Sequence, residues 1–328
     1  MILLNSLEVR VPKFKKKYKV ILIVSIVLFI SINLIGFYLG NMYYEKVCKI
    51  YIDRTNTGIE YYKESFNFER FKSLESYDID IESSFDYKLA GTYIFNAKPT
   101  NNTVIIAHGI TASRWEAMKY ADMYLDMGFN VVVYDSRYHG KSGGNDITLG
   151  FFEKNDLDNI VKWVKWVNPN AIIGVHGESL GAVTALLQAN LDIDKRNVNF
   201  YIVDCPYSDI SQLLSMKLSK SEKLQFQLAS KFILFYANVI ALNKSGFSLY
   251  AVSPIKAVKD IKAPVMFIHG SNDTFIPASM SLELYLEKTG VKTIYISPDA
   301  EHAMSYFINK SEYVSKVKQF LVQNKIIH

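Results

Sequence analysis

"GVHGESLGAV", residues 174–183, sets one hydroxyl, Ser179, between Gly177 and Gly181 where an apolar run meets a stretch of helical composition. A strand that turned sharply into a helix at this point would carry Ser179 at the apex. The two glycines would leave out the side chains for which such a turn has no room. With 16 glycines in 328 residues the bare pattern is weak, so its surroundings decide its meaning. They agree with the turn: "AIIGVHG" (171–177) reads as a buried strand, and "LGAVTALLQA" (180–189) reads as a helix. The N-terminus of that helix would bring free N–H groups and partial positive charge to Ser179.

Runs of the same kind recur on both sides. "TVIIAHG" (103–109), "FNVVVYD" (129–135), "FYIVDCP" (200–206), "APVMFIHG" (263–270) and "KTIYIS" (292–297) are short and nearly all apolar, and stretches with helical spacing such as residues 115–127 and 157–167 separate them. Strands apolar on both faces and alternating with helices predict an α/β fold with a mainly parallel sheet covered on both sides. Ahead of them, "YDIDIESS" (77–84) and "YKLAGTYIF" (87–95) alternate polar and apolar residues, as an antiparallel pair does. Residues 208–253 interrupt the alternation with a long helical insertion in which Leu224, Leu228, Phe232, Phe235, Val239 and Leu242 mark one apolar face. Such an insertion either packs on the sheet or, lying beyond a strand's carboxyl end, forms a lid over the crevice.

The chain is 49% hydrophobic and 21% charged, enough to bury a large core. Its net charge of +5 is carried entirely by Arg10, Lys13, Lys15, Lys16, Lys17 and Lys19 set against Glu8, and everything beyond is formally neutral. A basic face for nucleic acid is therefore not expected. The basic patch precedes residues 20–40, which contain no charged side chain and are long enough to cross a bilayer as one helix. Large residues such as Phe37, Tyr38, Met42 and Tyr43 follow instead of a small-x-small cleavage site, so the segment is expected to stay as an anchor. The charge asymmetry puts the N-terminus in the cytoplasm and the main domain outside. The expected organisation is a basic N-terminus at 1–19, a transmembrane helix at 20–40, a juxtamembrane linker at 41–75 and the main domain at 76–328. Cys48 and Cys205, in a juxtamembrane segment and a core strand, are not expected to pair.

A serine nucleophile needs a base, and the base needs an orienting acid. Of six histidines, His302 alone follows the last strand in a loop before the closing helix, where a base can reach over the sheet. His139, in the loop "DSRYHGKSGG", is its competitor. Asp273 lies just past the carboxyl end of "APVMFIHG", and Asp204, at the end of "FYIVD", is the second candidate acid. The order Ser179, Asp273, His302 suits this architecture. The N–H groups of Leu180 and Ile110 are the candidate oxyanion donors, with His108 holding the loop of Ile110 in shape. "GKS" at 140–142 is not a phosphate-binding loop, because that pattern requires Gly where this chain has Asp135; Asp135 and Arg137 are expected to hold their loop together. No Cys/His cluster has metal-ligand spacing, so neither metal nor cofactor is expected.

Taken together, "AHGIT", "YDSRYHGKSGG", "GVHGESLGA", "IHGSNDTFIP" and "EHAMSY" resemble the alpha/beta-hydrolase superfamily, in particular the serine hydrolases grouped with serine aminopeptidases and acylglycerol lipases. The resemblance covers roughly residues 77–325. It implies an eight-stranded sheet, a triad of Ser179, Asp273 and His302, and an oxyanion hole at Ile110 and Leu180. A membrane-anchored serine hydrolase acting on a carboxylic ester is the first expectation. Peptide or aminopeptidase chemistry is the alternative, hinted at by Glu178 beside Ser179, and a non-catalytic binding protein on the same fold is a further one.

Overall fold

The computed structural model describes residues 16–50, 59–221 and 227–328. Eight strands form one sheet: β1 (Ser76–Glu82), β2 (Lys88–Ile94), β3 (Thr103–Ala107), β4 (Asn130–Tyr134), β5 (Ile173–Glu178), β6 (Phe200–Asp204), β7 (Val265–Gly270) and β8 (Lys292–Ser297), in the order 1-2-4-3-5-6-7-8. β1 pairs antiparallel with β2, and β2 with β4; every other pairing is parallel. The two-residue period of the strands sorts their side chains into two cores. Ile105, Ala107, Val132 and Tyr134 face one side, where they pack with Leu157, Ile160, Ala182 and Leu186; Val104, Ile106, Val131 and Val133 face the other, against Tyr124, Tyr313 and Val317.

The helices used below are α1 (Lys16–Cys48), α2 (Glu153–Val167), α3 (Leu180–Leu191), α4 (Ile210–Ser221), α5 (Gln227–Ser245) and α6 (Lys310–Gln323). α2 and α3 supply the first core and α6 the second. This is the alpha/beta-hydrolase architecture, a mainly parallel sheet with helices on both faces.

Two expectations differ from the structure. The helix expected at 20–40 runs on without a break through Cys48, 33 residues and about 50 Å at 1.5 Å per residue. No proline or capping sequence interrupts it, and Gly36, Gly40, Tyr44 and Cys48, four residues apart, form a buried stripe that docks on the domain. The first part of the supposed linker is thus packed structure. So is its last part, where Asn67 caps Phe68–Ser73 and Arg70 pairs with Asp122 and Asp126. The N-terminal residues 1–15 of the basic patch lie outside the described residues.

The insertion at 208–253 contains α4 and α5, and its buried face matches the sequence reading only in part: Phe232 packs against the core and Val239 is half-buried. Leu228, Phe235 and Leu242 are 79%, 54% and 50% exposed, whereas Ile233, Leu234, Ala237, Ile240 and Ala241 are buried. α5 is apolar on more than one side and packs against both α1 and α4, so these partners decide which side is buried. Leu224 lies outside the described residues.

Candidate active site

β5 enters the turn at Glu178 and α3 leaves it at Leu180, with Ser179 between them at φ 53° and ψ −112°. A non-glycine residue holds this left-handed geometry only where its surroundings enforce it. Here the Ser179 N–H donates to the Asp204 carbonyl at 2.8 Å, and both glycines are obligatory. A Cβ on Gly177 would sit 2.2 Å from the Gly181 carbonyl oxygen, and one on Gly181 would sit 2.1 Å from that of Ala107.

Asp273 and His302 arrive on the loops after β7 and β8, which are laced together. Ser271 N–H donates to Ser297 O at 2.9 Å and Asn272 N–H to Ala300 O at 2.9 Å, while a Cβ on Gly270 would strike Ala300 O at 2.2 Å. The three side chains singled out from the sequence meet in a chain. Ser179 Oγ is 3.0 Å from His302 Nε2, and His302 Nδ1 is 2.7 Å from Asp273 Oδ2. Because a carboxylate only accepts, Nδ1 carries the proton and Nε2 is left to accept from the hydroxyl.

Asp273 Oδ1 accepts from the N–H groups of Phe275 and Ile276, both at 2.8 Å. Burial pushes its pKa up, but hydrogen bonds from His269 and His302 outweigh burial and hold the carboxyl well below its usual range. His269 is the residue that the sequence reading passed over. Its Nε2 lies 3.1 Å from Asp273 Oδ2 and 2.8 Å from Ile276 O, and its Nδ1 lies 2.7 Å from Ser281 Oγ. Its position at the end of β7, four residues before Asp273, was the available signal.

The competitors are engaged elsewhere. Asp204 meets Tyr313 and Tyr120, at 3.1 and 3.5 Å, and burial together with the nearby Glu178 pushes its pKa up to about 6. His139 donates from Nδ1 to Arg137 O and accepts from the Thr111 N–H at 3.2 Å, so it braces the loop that carries Ile110. His108 does likewise, joining Gly109 O to the Ser136 N–H. Asp135 receives the Arg114 N–H at 2.8 Å, and Arg137 is clamped to Asp146 at 2.5 Å.

Leu180 is the first residue of α3, so its N–H has no acceptor within the helix. Ile110 follows Gly109, whose own Cβ position is 3.6 Å from Ser179 Cβ. Both residues line, with Ser179, a cavity of about 540 Å³. Its walls are Tyr207, Ile210, Leu213 and Leu214 from the β6–α4 segment, Leu149 and Phe275 from loops, and Tyr43, Lys46, Val47 and Ile50 from the end of α1 and just beyond. No carboxylate lines it among the described residues. Glu178 points away, 2.6 Å from Lys119 Nζ and 2.5 Å from Tyr120 Oη, and is buried with them.

One group of possible metal ligands occurs among the described residues: Cys205, Asp273 and His302, whose ligand atoms lie within 4.8 Å of one another. Its chemistry does not suit a cation. Asp273 Oδ2 already faces both His302 and His269, and burial holds the Cys205 thiol well above its usual pKa. Cys48 and Cys205 are both unpaired and buried.

The family described as "Serine aminopeptidase, S33" matches residues 98–241. YqkD of Bacillus subtilis (strain 168), an uncharacterized protein, is 38% identical over 255 residues, which cover 77% of this chain and 82% of that one. Among solved structures, the Pyrococcus furiosus esterase Pf2001 superposes with a TM-score of 0.61 at 29% identity, over 76% of this chain and 93% of the esterase. Est1E of Butyrivibrio proteoclasticus, solved with ferulic acid bound, has the same fold, with a TM-score of 0.58 at 17% identity over 76% of this chain and 99% of that one. The chain belongs to the alpha/beta-hydrolase superfamily, resembles the serine aminopeptidase S33 family over residues 98–241, and is a hydrolase.

Proposed function

We propose that this hydrolase is a membrane-anchored serine esterase. Ser179 attacks the acyl carbonyl while His302 Nε2 takes its proton, and Asp273 holds the imidazole in the required tautomer and stabilises the imidazolium. The N–H groups of Ile110 and Leu180 receive the oxyanion. His302 returns the proton to the leaving alkoxide, and a water activated by the same imidazole then releases the acid. Residues 20–40 hold the enzyme in the bilayer, with the basic N-terminus in the cytoplasm and the catalytic domain outside.

The observation that favours an ester over a peptide is the lining of the cavity beside Ser179. It is apolar, its charged members are the cations Lys46 and Lys217, and no described carboxylate faces it. An aminopeptidase must neutralise the substrate's ammonium group, and the one acid next to the nucleophile, Glu178, is already paired with Lys119. The likeness to an esterase at 29% identity points the same way.

The test is a panel of p-nitrophenyl esters of increasing acyl length run beside aminoacyl p-nitroanilides, with Ser179→Ala as control and fluorophosphonate labelling of both proteins. Esters are expected to turn over in preference to anilides, and Ser179→Ala is expected to lose labelling and roughly 10⁴-fold or more in rate. Preferential anilide cleavage would make the enzyme a peptidase. Equal labelling of the two proteins would remove Ser179 from the mechanism.

A further inference from the structure

The anchor helix takes part in building the cavity. Gly36 and Gly40 form a small-xxx-small pair, and α5 lies directly on it. A Cβ on Gly36 would fall 2.3 Å from the Tyr236 ring, and one on Gly40 would fall 2.6 Å from Tyr236 Cβ and 2.7 Å from its carbonyl carbon. Only glycine allows this approach, the device by which helices associate within lipid. Polar bolts run along the seam. Tyr236 Oη donates to Asn33 Oδ1 at 2.9 Å, Lys244 Nζ reaches Asn41 Oδ1 and Glu45 Oε1 at 2.8 Å each, and Tyr44 Oη meets Ser245 Oγ at 2.6 Å. Tyr43 Oη is tied to Leu214 O of α4 at 3.1 Å.

The next turns of α1 then pass the site. Tyr43 and Val47 line the same cavity as Ser179, and Tyr43 comes three residues, about 4.5 Å of helix rise, after the last residue of the apolar segment. With residues 20–40 read as the membrane-spanning segment, the cavity wall begins about one helical turn beyond its end.

We propose that the end of the anchor helix is the wall along which an acyl chain reaches Ser179 from the lipid layer, so that the Gly36–Gly40 seam sets acyl-chain preference. The substrate class is then an amphiphile whose acyl chain resides in the bilayer and whose ester lies at its surface. This rests on the esterase reading above, and the experiment keeps the two apart.

Full-length enzyme in phosphatidylcholine vesicles would be assayed with acetyl and dodecanoyl p-nitrophenyl esters as wild type, Gly40→Val and Val47→Trp. Gly40→Val is expected to keep fluorophosphonate labelling and acetyl ester turnover within about twofold, while dodecanoyl ester turnover falls at least tenfold. Val47→Trp, which fills the cavity without touching the seam, is expected to move the optimum to shorter acyl groups, and it decides the matter if Gly40→Val does not fold. An unchanged dodecanoyl-to-acetyl ratio in correctly labelled Val47→Trp would overturn the proposal. A readout independent of turnover uses a diazirine-bearing fatty acid photolysed in vesicles with Ser179→Ala. Crosslinks at Tyr43 or Val47 support the wall even if no ester is cleaved, whereas crosslinks confined to other segments sink it.

Discussion

His269 Nε2 stands 3.1 Å from Asp273 Oδ2, the same oxygen that accepts from His302 Nδ1 at 2.7 Å. The acid is thus held from behind by one histidine while it orients another. Because Ile276 O also lies 2.8 Å from His269 Nε2, that nitrogen carries a proton, and Ser281 Oγ lies 2.7 Å from the other. The ring acts as a fixed hydrogen-bond donor to a buried carboxylate.

Losing this donor removes a charge-assisted hydrogen bond worth about 1.5–3 kcal/mol. His269→Ala is expected to lower kcat/KM for an ester on the order of tenfold, and His269→Gln, which keeps an N–H donor, to recover part of it. The carboxyl of Asp273 lies below its unfolded value, so its contribution to stability is present above about pH 4 and is lost as pH falls through the folded pKa. In His269→Ala that contribution should be smaller and its loss complete at a higher pH. Thermal melts between pH 2 and 7 would detect it, and superimposable wild-type and variant curves would leave His269 without this role.

Asp204 has the opposite linkage. With its pKa raised to about 6 by burial, its contribution to stability is complete below about pH 3.9 and is lost as pH rises through about 6. Two units correspond to about 3 kcal/mol at 1.36 kcal/mol each. Asp204→Asn should therefore gain on wild type between pH 4 and 6 and hold that gain above it. Its ester kcat should stay within about tenfold of wild type, whereas Asp273→Asn should lose about 10⁴-fold. The reverse ranking would make Asp204 the orienting acid.

Lys119 and Glu178, 2.6 Å apart and almost fully buried, form the ion pair directly behind Ser179. Removing one partner leaves an uncompensated buried charge, so Lys119→Met should cost about 3–5 kcal/mol. The double variant Lys119→Met/Glu178→Met should regain most of that. Denaturant melts of the single and double variants check the coupling, and additive losses would count against it.

Protease added outside intact cells should degrade the domain that follows residue 50 and leave the N-terminal segment protected. Complete protection of the domain would reverse the orientation drawn from the basic residues before the apolar helix.

Much of this molecule is governed by rules that act over a few residues, and those parts were legible in the sequence. The apolar runs became β3 to β7, buried on both faces, because strands covered on both sides must be apolar on both faces, and the last run became β8, a half-covered edge strand. Gly177 and Gly181 could be read as a turn because sterics there act between atoms close in the chain or on the adjacent strand. His302 and Asp273 could be placed because residues at the carboxyl ends of neighbouring parallel strands converge on one edge. The hidden parts depend on partners far apart in the chain. Which residues of α5 are buried was legible only in part, because more than one of its sides is apolar and only the packing partners, α1 and α4, distinguish them.

By itself, then, the amino-acid sequence determined the sheet, the strained turn at Ser179 and the order of the three interacting side chains, all consequences of local backbone sterics and the periodicity of burial. Only the tertiary structure decided that Glu178 turns to Lys119 and away from the cavity, that His269 stands behind Asp273, and that Tyr43 and Val47 of α1 close the cavity containing Ser179. The physical reason is distance along the chain. Tyr43 and Ser179 share one cavity although 136 positions separate them, and no periodicity within either segment encodes that meeting.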